Sequence, residues 1–289
     1  MCSGLGVLVD KKIAGLALTG VLLISGCSSR VQAAGPAASN SVRPPAASPR
    51  AGGNAPVADA AHEAAAFRAW GLKPLAAPPA PPKVKPVKRR AGEPVPVISD
   101  IPTRDKVVFI TFDDGAEKDP GFVKMMRELK VPFTMFLTDS AISADYGYFK
   151  PLQQFGNTIQ NHTLSHPDLR TKGAAAQREE ICGQQTRLGK EYGTIPRLLR
   201  PPYGNWNENT RIAAGQCGVE VIVLWRESMQ ITNMQYQRAD KKLHPGDIIL
   251  AHFRGPEELK GHSMTEMTAN MLRHIQEQGF AVARLEDYL

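Results

Sequence analysis

Two adjacent carboxylates, Asp113 and Asp114, follow the apolar run Val107–Phe112 and precede Gly115. Farther along, His162 and His166 sit four residues apart in Asn161-His162-Thr163-Leu164-Ser165-His166-Pro167. Paired carboxylates are what a hard or borderline cation needs, one to ligate it and one to hold a water. Two imidazoles and one carboxylate make the three-ligand set of a catalytic zinc-type site with one position left open. An i, i+4 spacing brings both rings to one side of a helix, but Pro167 pushes His166 out of the helical region, so a tight loop is expected. Two further clusters follow apolar runs: Arg200-Pro201-Pro202-Tyr203-Gly204, and His252 after Ile248–Ala251. Taken singly, Asp-Asp-Gly is an ordinary turn and H-x-x-x-H a weak signal.

What makes the clusters one site is the scaffold they imply. Strands are expected at Lys106–Phe112, Pro132–Thr138, Asn157–Asn161, Pro196–Arg200, Val219–Trp225, Asp247–His252 and Phe280–Leu285. Helical patterns separate them, at Pro120–Leu129, Gly147–Phe155, Ala174–Glu191, Asn207–Gln216, Met234–Lys242 and Thr265–Gln278. Strands alternating with helices predict an α/β fold with parallel strands. A full eight-unit barrel takes about 250 residues. Residues 105–289 are fewer, so a distorted or shortened (β/α) barrel of about seven parallel strands fits, with an open doubly wound sheet as the alternative. In either fold the C-terminal strand ends converge on one face, where ligands bind.

The chain has 289 residues, 35 Lys+Arg against 28 Asp+Glu, and 4 Cys. So few cysteines exclude a disulfide-dense miniature scaffold. Lys11-Lys12, the apolar run Ile13–Ile24 and the small residues after it read as a signal peptide over 1–27, too short to span a bilayer. Leu23-Ile24-Ser25-Gly26-Cys27 resembles a bacterial lipobox, which implies lipidation at Cys27 and anchoring to the outer face of the cell membrane. An ordinary signal peptide, and secretion, is the alternative. Residues 28–104 hold 14 of the 23 prolines and read as a disordered tether, with one short helix possible over Ala60–Leu72. The tether carries 11 basic and 4 acidic residues, with the cluster Lys83, Lys85, Lys88, Arg89 and Arg90, whereas residues 105–289 carry 22 and 23. The basic balance therefore belongs to the tether, where it would face anionic headgroups or wall polymers or merely be solvated. The near-neutral domain supplies no basic, base-reading face, so no nucleic-acid partner is expected, and no protein partner is predicted.

The four clusters, in this order, resemble the motifs of the polysaccharide deacetylases, the NodB-homology group of carbohydrate esterases (family 4). Thr111–Gly115 is similar to the first motif, Asn161–Pro167 to the second, Arg200–Gly204 to the third and Leu250–His252 to the last. The resemblance covers essentially all of 105–289. It implies one divalent metal, zinc, on Asp114, His162 and His166, with Asp113 as general base on the attacking water. His252 would protonate the departing nitrogen, Arg200 would orient Asp113, and the Tyr203 backbone N–H would help hold the oxyanion. Thr163 would brace the histidine loop, and Trp225 would floor the pocket, a plain core role being its alternative; Trp206, just past Arg200–Gly204, is a candidate to stack on a sugar face, with rim packing the alternative. One motif departs from the family: after Trp225 the chain reads Arg226-Glu227-Ser228-Met229, without the usual Asp-Trp pair that orients the acid histidine. Glu227 is the only carboxylate near, which leaves the partner of His252 open.

Cys182 and Cys217 fall on consecutive expected helices that should be neighbours. Outside the cytoplasm they are candidates for a disulfide, closing a loop worth about 3–4 kcal/mol in the entropy model; two buried thiols are the alternative. The sequence thus predicts a lipid-anchored hydrolase removing N-acetyl groups from an extracytoplasmic glycan, peptidoglycan or a chitin-like N-acetylglucosamine polymer. A catalytically impaired glycan-binding relative and an O-acetyl (xylan-type) esterase are the competing readings.

Overall fold

A computed structural model describes residues 55–90 and 92–289, with side chains from residue 60 onward. The signal peptide, the lipobox and Cys27 lie outside the described residues. Among these residues ten strands form one curled sheet: β1 (Val97–Ile98), β2 (Val107–Asp114), β3 (Thr134–Leu137), β4 (Thr158–Asn161), β5 (Leu198–Leu199), β6 (Val221–Val223), β7 (Glu227–Met229), β8 (Met234–Tyr236), β9 (Ile248–His252) and β10 (Ala281–Val282). Their order is β1-β6-β5-β4-β3-β2-β9-β7-β8, with β10 also on β2. All pairings are parallel except β7 with β8. The chain leaving β1 crosses to the base of β9, where Asp100 bridges Asp247 and the Ile101 N–H donates to the Gly246 carbonyl at 2.8 Å. A Cβ on Gly246 would lie 1.9 Å from the Ile101 oxygen, so only glycine allows this approach. The curled sheet is thereby a distorted (β/α) barrel rather than an open doubly wound sheet.

Among the described residues seven helices accompany it: α1 (Ala55–Ala69), α2 (Pro120–Leu129), α3 (Asp139–Ile142), α4 (Phe149–Gln154), α5 (Ala174–Tyr192), α6 (Glu208–Gln216) and α7 (Met264–Glu277). Local chemistry sets their starts. Asp119 caps α2 ahead of Pro120, and capping boxes open α6 (Asn207 with Thr210) and α7 (Ser263 with Glu266). No helix among the described residues is long and apolar enough to cross a membrane.

Two expectations need correction. Met234–Lys242 is not a helix: Met234–Tyr236 pairs antiparallel with Glu227–Met229, and burial alternates from Met234 (buried) through Gln235 (exposed) to Tyr236. This period of two belongs to a hairpin strand. Nor does the tether run free to residue 104. Phe67, Leu72, Val87, Val95 and Ile101 are buried against the barrel and its helices, and β1 adds an edge strand to β6. Part of the basic cluster also fastens this strap to the barrel. Lys85 Nζ donates to the Glu286 and Leu289 carbonyls, and Arg89 Nη1 to those of Gly215 and Val219. The prolines shape a strap whose apolar residues, spaced well apart, were masked by the composition around them.

Candidate active site

Strand alternation chooses which residues reach the site. In β2, Val107 and Phe109 join the barrel interior, while Val108, Ile110 and Phe112 pack toward the helices. Continuing that period, Thr111 and Asp113 take the inner face. In β9, Ile248 is interior and Ile249, Ala251 and Phe253 face the helix side, so Leu250 and His252 point inward. The same count takes Leu198 to Arg200, and Val221 and Val223 to Trp225. Asp113 and His252 are direct register partners on neighbouring strands.

Beyond the last interior residue of β2 the chain delivers Asp114. Its Oδ1 lies 3.3 Å from His162 Nε2 and 3.2 Å from His166 Nε2. Ligand atoms of all three residues fall within 4.8 Å of one another. The His162 Nδ1 is 2.6 Å from the Arg200 carbonyl oxygen, which can only accept, so Nδ1 carries the proton and the Nε2 lone pair faces Asp114. Asp114 Oδ1 is buried with no hydrogen-bond partner. An orphaned carboxylate oxygen facing a lone pair is the donor arrangement a cation completes, and these residues fit one. Burial alone would raise the Asp114 carboxyl, but the two imidazoles outweigh it and hold it well below the usual carboxylate range. Burial likewise opposes charge on His162, yet Asp113 and then Asp114 lift it above its ordinary value. The pocket favours positive charge, whichever species brings it.

Asp113 is buried and fixed from below. Arg200, fully buried, donates from Nη1 to Asp113 Oδ1 and to Thr111 Oγ1, each at 2.7 Å. Its Nε and Nη2 reach the Val223 and Leu224 carbonyls at 3.1 Å. The guanidinium lies over the Phe136 ring at 4.3 Å and 5.7 Å from the Trp225 ring. A buried cation so completely bonded fixes the position of Asp113, whose Oδ2 is 3.7 Å from His162 Nε2. Burial pushes His252 below the ordinary imidazole value; Asp113 opposes this and Arg254 adds to it.

Four of the non-glycine residues with left-handed backbone belong to this site: Asp114 (φ 71), Thr163 (φ 70), His166 (φ 58) and Tyr203 (φ 61). Such conformations cost about 1 kcal/mol or more each and persist only where surroundings impose them. Thr163 supplies part of that. Its N–H donates to Asn161 Oδ1 (2.8 Å), its Oγ1 accepts from the His166 N–H (3.2 Å), and its carbonyl accepts from Thr138 Oγ1 (2.9 Å). Lys118 supplies more, its ammonium gathering the carbonyls of Gly115 (2.7 Å), Ala116 (3.0 Å) and Ala141 (2.7 Å). Neither Lys118 nor Thr138 carries a sequence signal, because their partners meet only in the folded loops.

Tyr203 also lines a depression of about 230 Å³, together with Ser99, Gly204, Leu224, Trp225 and Gln237; Asp114, His162 and His166 are not part of its lining. The Tyr203 ring is exposed and meets the His166 ring at 4.8 Å. Trp206 is half-buried and does not line this depression. Glu227 is no partner for His252: it pairs in register with Ile249, three residues back along β9. There it is buried beside Asp247, with Arg238 Nη1 at 3.5 Å from Glu227 and 2.7 Å from Asp247. Burial first, and then the Asp247 charge, push its carboxyl up to about 9. Cys182 and Cys217 are joined in a disulfide with Cα atoms 4.9 Å apart.

Comparison with known proteins places this geometry. The profile of the polysaccharide deacetylase family matches residues 100–222. An uncharacterized protein of Streptomyces coelicolor is 44% identical over 67% of this chain and 77% of its own length. A peptidoglycan-N-acetylmuramic acid deacetylase of Bacillus subtilis is 26% identical over 65% and 73%. Among solved structures, a family 4 carbohydrate esterase from Bacillus anthracis superposes with a TM-score of 0.54 at 26% identity, covering 66% of this chain and 86% of that one. A family 4 pseudoenzyme of the same organism gives 0.56 at 20% identity over 66% and 68%, a likeness of fold.

Proposed function

The chain belongs to the polysaccharide deacetylase family, and from that premise we propose that it is a metal-dependent hydrolase removing N-acetyl groups from an extracytoplasmic glycan, peptidoglycan or a chitin-like N-acetylglucosamine polymer. The observation that carries the reading is the placing of Asp113 and His252 in register, beside the convergent Asp114, His162 and His166. A divalent cation, zinc for two imidazoles and one carboxylate, would be held by those three residues and would supply Lewis acidity toward the acetyl carbonyl while acidifying water.

The chain's own groups do the rest. Asp113, oriented by Arg200, accepts a proton from the attacking water at its free Oδ2. The Tyr203 N–H stabilises the oxyanion that develops on the carbonyl oxygen. His252 delivers a proton to the sugar nitrogen as the C–N bond breaks, so acetate and a free amine leave. Tyr203 and Trp225 wall the depression in which a sugar ring would lie. For location, the Lys11-Lys12 leader and Leu23–Cys27 support a lipid anchor at Cys27 on the outer face of the membrane.

A second reading is a glycan-binding relative without turnover. It is favoured by Glu227, which is engaged by Arg238 and Asp247 and leaves His252 without the family's orienting carboxylate. Acetate release from a panel of N- and O-acetylated glycans, with and without chelator, separates the readings. Chelator-sensitive release from an N-acetylated polymer is expected. Release from O-acetylated xylan alone would make it an esterase, and glycan binding without release would make it a binder.

A further inference from the structure

Of six consecutive residues of α5, Glu180 to Gln185, five hold part of the histidine loop or of the strands next to it, and the sixth ties the helix to α6. Glu180 accepts from the Ser165 N–H through Oε2 (2.9 Å) and from the Ser165 hydroxyl through Oε1. The Ile181 carbonyl accepts from Asn161 Nδ2 at 2.9 Å. Gly183 seats Leu164 so closely that a Cβ there would lie 2.4 Å from Leu164 Cδ1. Gln184 Nε2 donates at 2.7 Å to the Leu137 carbonyl, which also receives the His162 N–H. Gln185 Oε1 accepts from Asn161 Nδ2 at 3.0 Å, while its Nε2 donates to the carbonyls of Pro196 and Cys217. The remaining residue, Cys182, carries the covalent tie to Cys217, the residue that caps α6.

These contacts form a short relay. Cys217 is fixed to α5 twice, through sulfur and through Gln185; Gln185 and Ile181 fix Asn161; and the Asn161 oxygen fixes Thr163, whose left-handed turn separates His162 from the rest of the loop. Neither His162 nor His166 lies on a helix or strand. Two imidazoles on a five-residue loop converge on one carboxylate only if that loop is held from outside, since ligand geometry tolerates displacements of about half an ångström.

We propose that residues 180–185 of α5, tied to α6 by the Cys182–Cys217 disulfide, are the positioning platform of the histidine loop, with Glu180 its polar anchor, so that removing the tie weakens metal binding without touching a ligand. The inference rests on the reading that Asp114, His162 and His166 hold a divalent cation. It makes the disulfide part of the active-site machinery rather than a general staple.

The test is a zinc titration of the full chain against a chromophoric competitor, with the visible spectrum of the cobalt(II) form as a second readout. Wild type should take up one zinc per chain. Glu180→Ala, and the double variant Cys182→Ser with Cys217→Ser, should each weaken zinc by about tenfold or more, the size typical of an outer support lost from a ligand. Both should also alter the cobalt bands. Glu180→Gln, which still offers an oxygen to the Ser165 N–H, should recover most of the affinity. Circular dichroism decides which variants are folded; Glu180 is only half-buried, so its variants decide the matter if the cysteine variant does not fold. Zinc affinity within twofold of wild type with unchanged cobalt bands in folded Glu180→Ala would overturn the platform while leaving the metal site standing. A wild type that binds no zinc would overturn both.

Discussion

Asp113 and His252 face each other as register partners across two parallel strands, with Arg200 beneath the first and Arg254 two residues beyond the second. Neighbouring strands are about 4.8 Å apart, so the acceptor and the donor of the proposed proton transfers are held at one rung of the sheet. Backbone pairing, rather than loop packing, fixes their separation.

Asp113 can be lost without losing the metal. Asp113→Asn should cut acetate release by about 10²- to 10⁴-fold, the usual share of a general base, with about one zinc per chain retained by elemental analysis. His162→Ala should instead lose the zinc. Substantial turnover by Asp113→Asn would mean that another group takes the proton.

The alkaline limb of the rate profile belongs to His252. The proposed mechanism uses this imidazole protonated, and burial, aided by Arg254, holds its proton affinity below the ordinary value. Activity should therefore fall as pH rises through a point below about 6.5. Arg254→Ala removes the repelling charge and should move the limb to higher pH, and His252→Gln should abolish it along with most of kcat. An alkaline limb that stays in place in Arg254→Ala would detach it from His252.

Glu227 gives stability a pH dependence of known sign. Its carboxyl rises from an ordinary 4.5 to about 9 in the folded state, so between these values the native chain holds a proton that the unfolded chain has released. That contribution is intact below about 4.5 and is lost progressively as pH rises toward 9. Glu227→Gln, uncharged and of the same shape, should raise Tm by an increment that grows from pH 6 to pH 9. A constant increment in thermal melts across that range would show that Glu227 is ionised in the native state.

The strap sets where a stable body can begin. A chain starting at residue 105 lacks Phe67, Leu72, Val87, Val95 and Ile101 and uncovers the apolar surface they bury. Each is worth about 1.5–3 kcal/mol on burial, against a total stability of about 5–15 kcal/mol. It should lose near-ultraviolet circular dichroism and cooperative unfolding, while a chain starting at residue 55 keeps both. Cooperative unfolding of 105–289 would reduce the strap to a surface ornament.

The sequence revealed most where structure is local. Apolar runs such as Val107–Phe112 and Ile248–Ala251 announce buried strands, and the polar residues that end them announce the site, because strand ends and reactive groups coincide in this architecture. It was silent where an element owes its form to a distant partner. Val97–Ile98 is a two-residue strand only because Val221–Val223 offers an edge, and Met234–Tyr236 pairs with Glu227–Met229 although the stretch to Lys242 carries a helical pattern. Lys118 and Glu180 act on loops 23 and 15 residues away along the chain, so no spacing rule identifies them.

Arg200 has a consequence for how this scaffold can change over evolutionary time. Its side chain joins β2 through Thr111 and Asp113 to the end of β6 at Val223 and Leu224, so the group that orients the proposed base is also a rivet between strands. Asp114 and His166, by contrast, bear little of the frame, as a half-exposed imidazole and a carboxylate whose inner oxygen makes no hydrogen bond. Drift toward a silent, sugar-holding descendant would therefore begin at the proposed ligands and leave the arginine behind, a fossil of chemistry kept for its masonry.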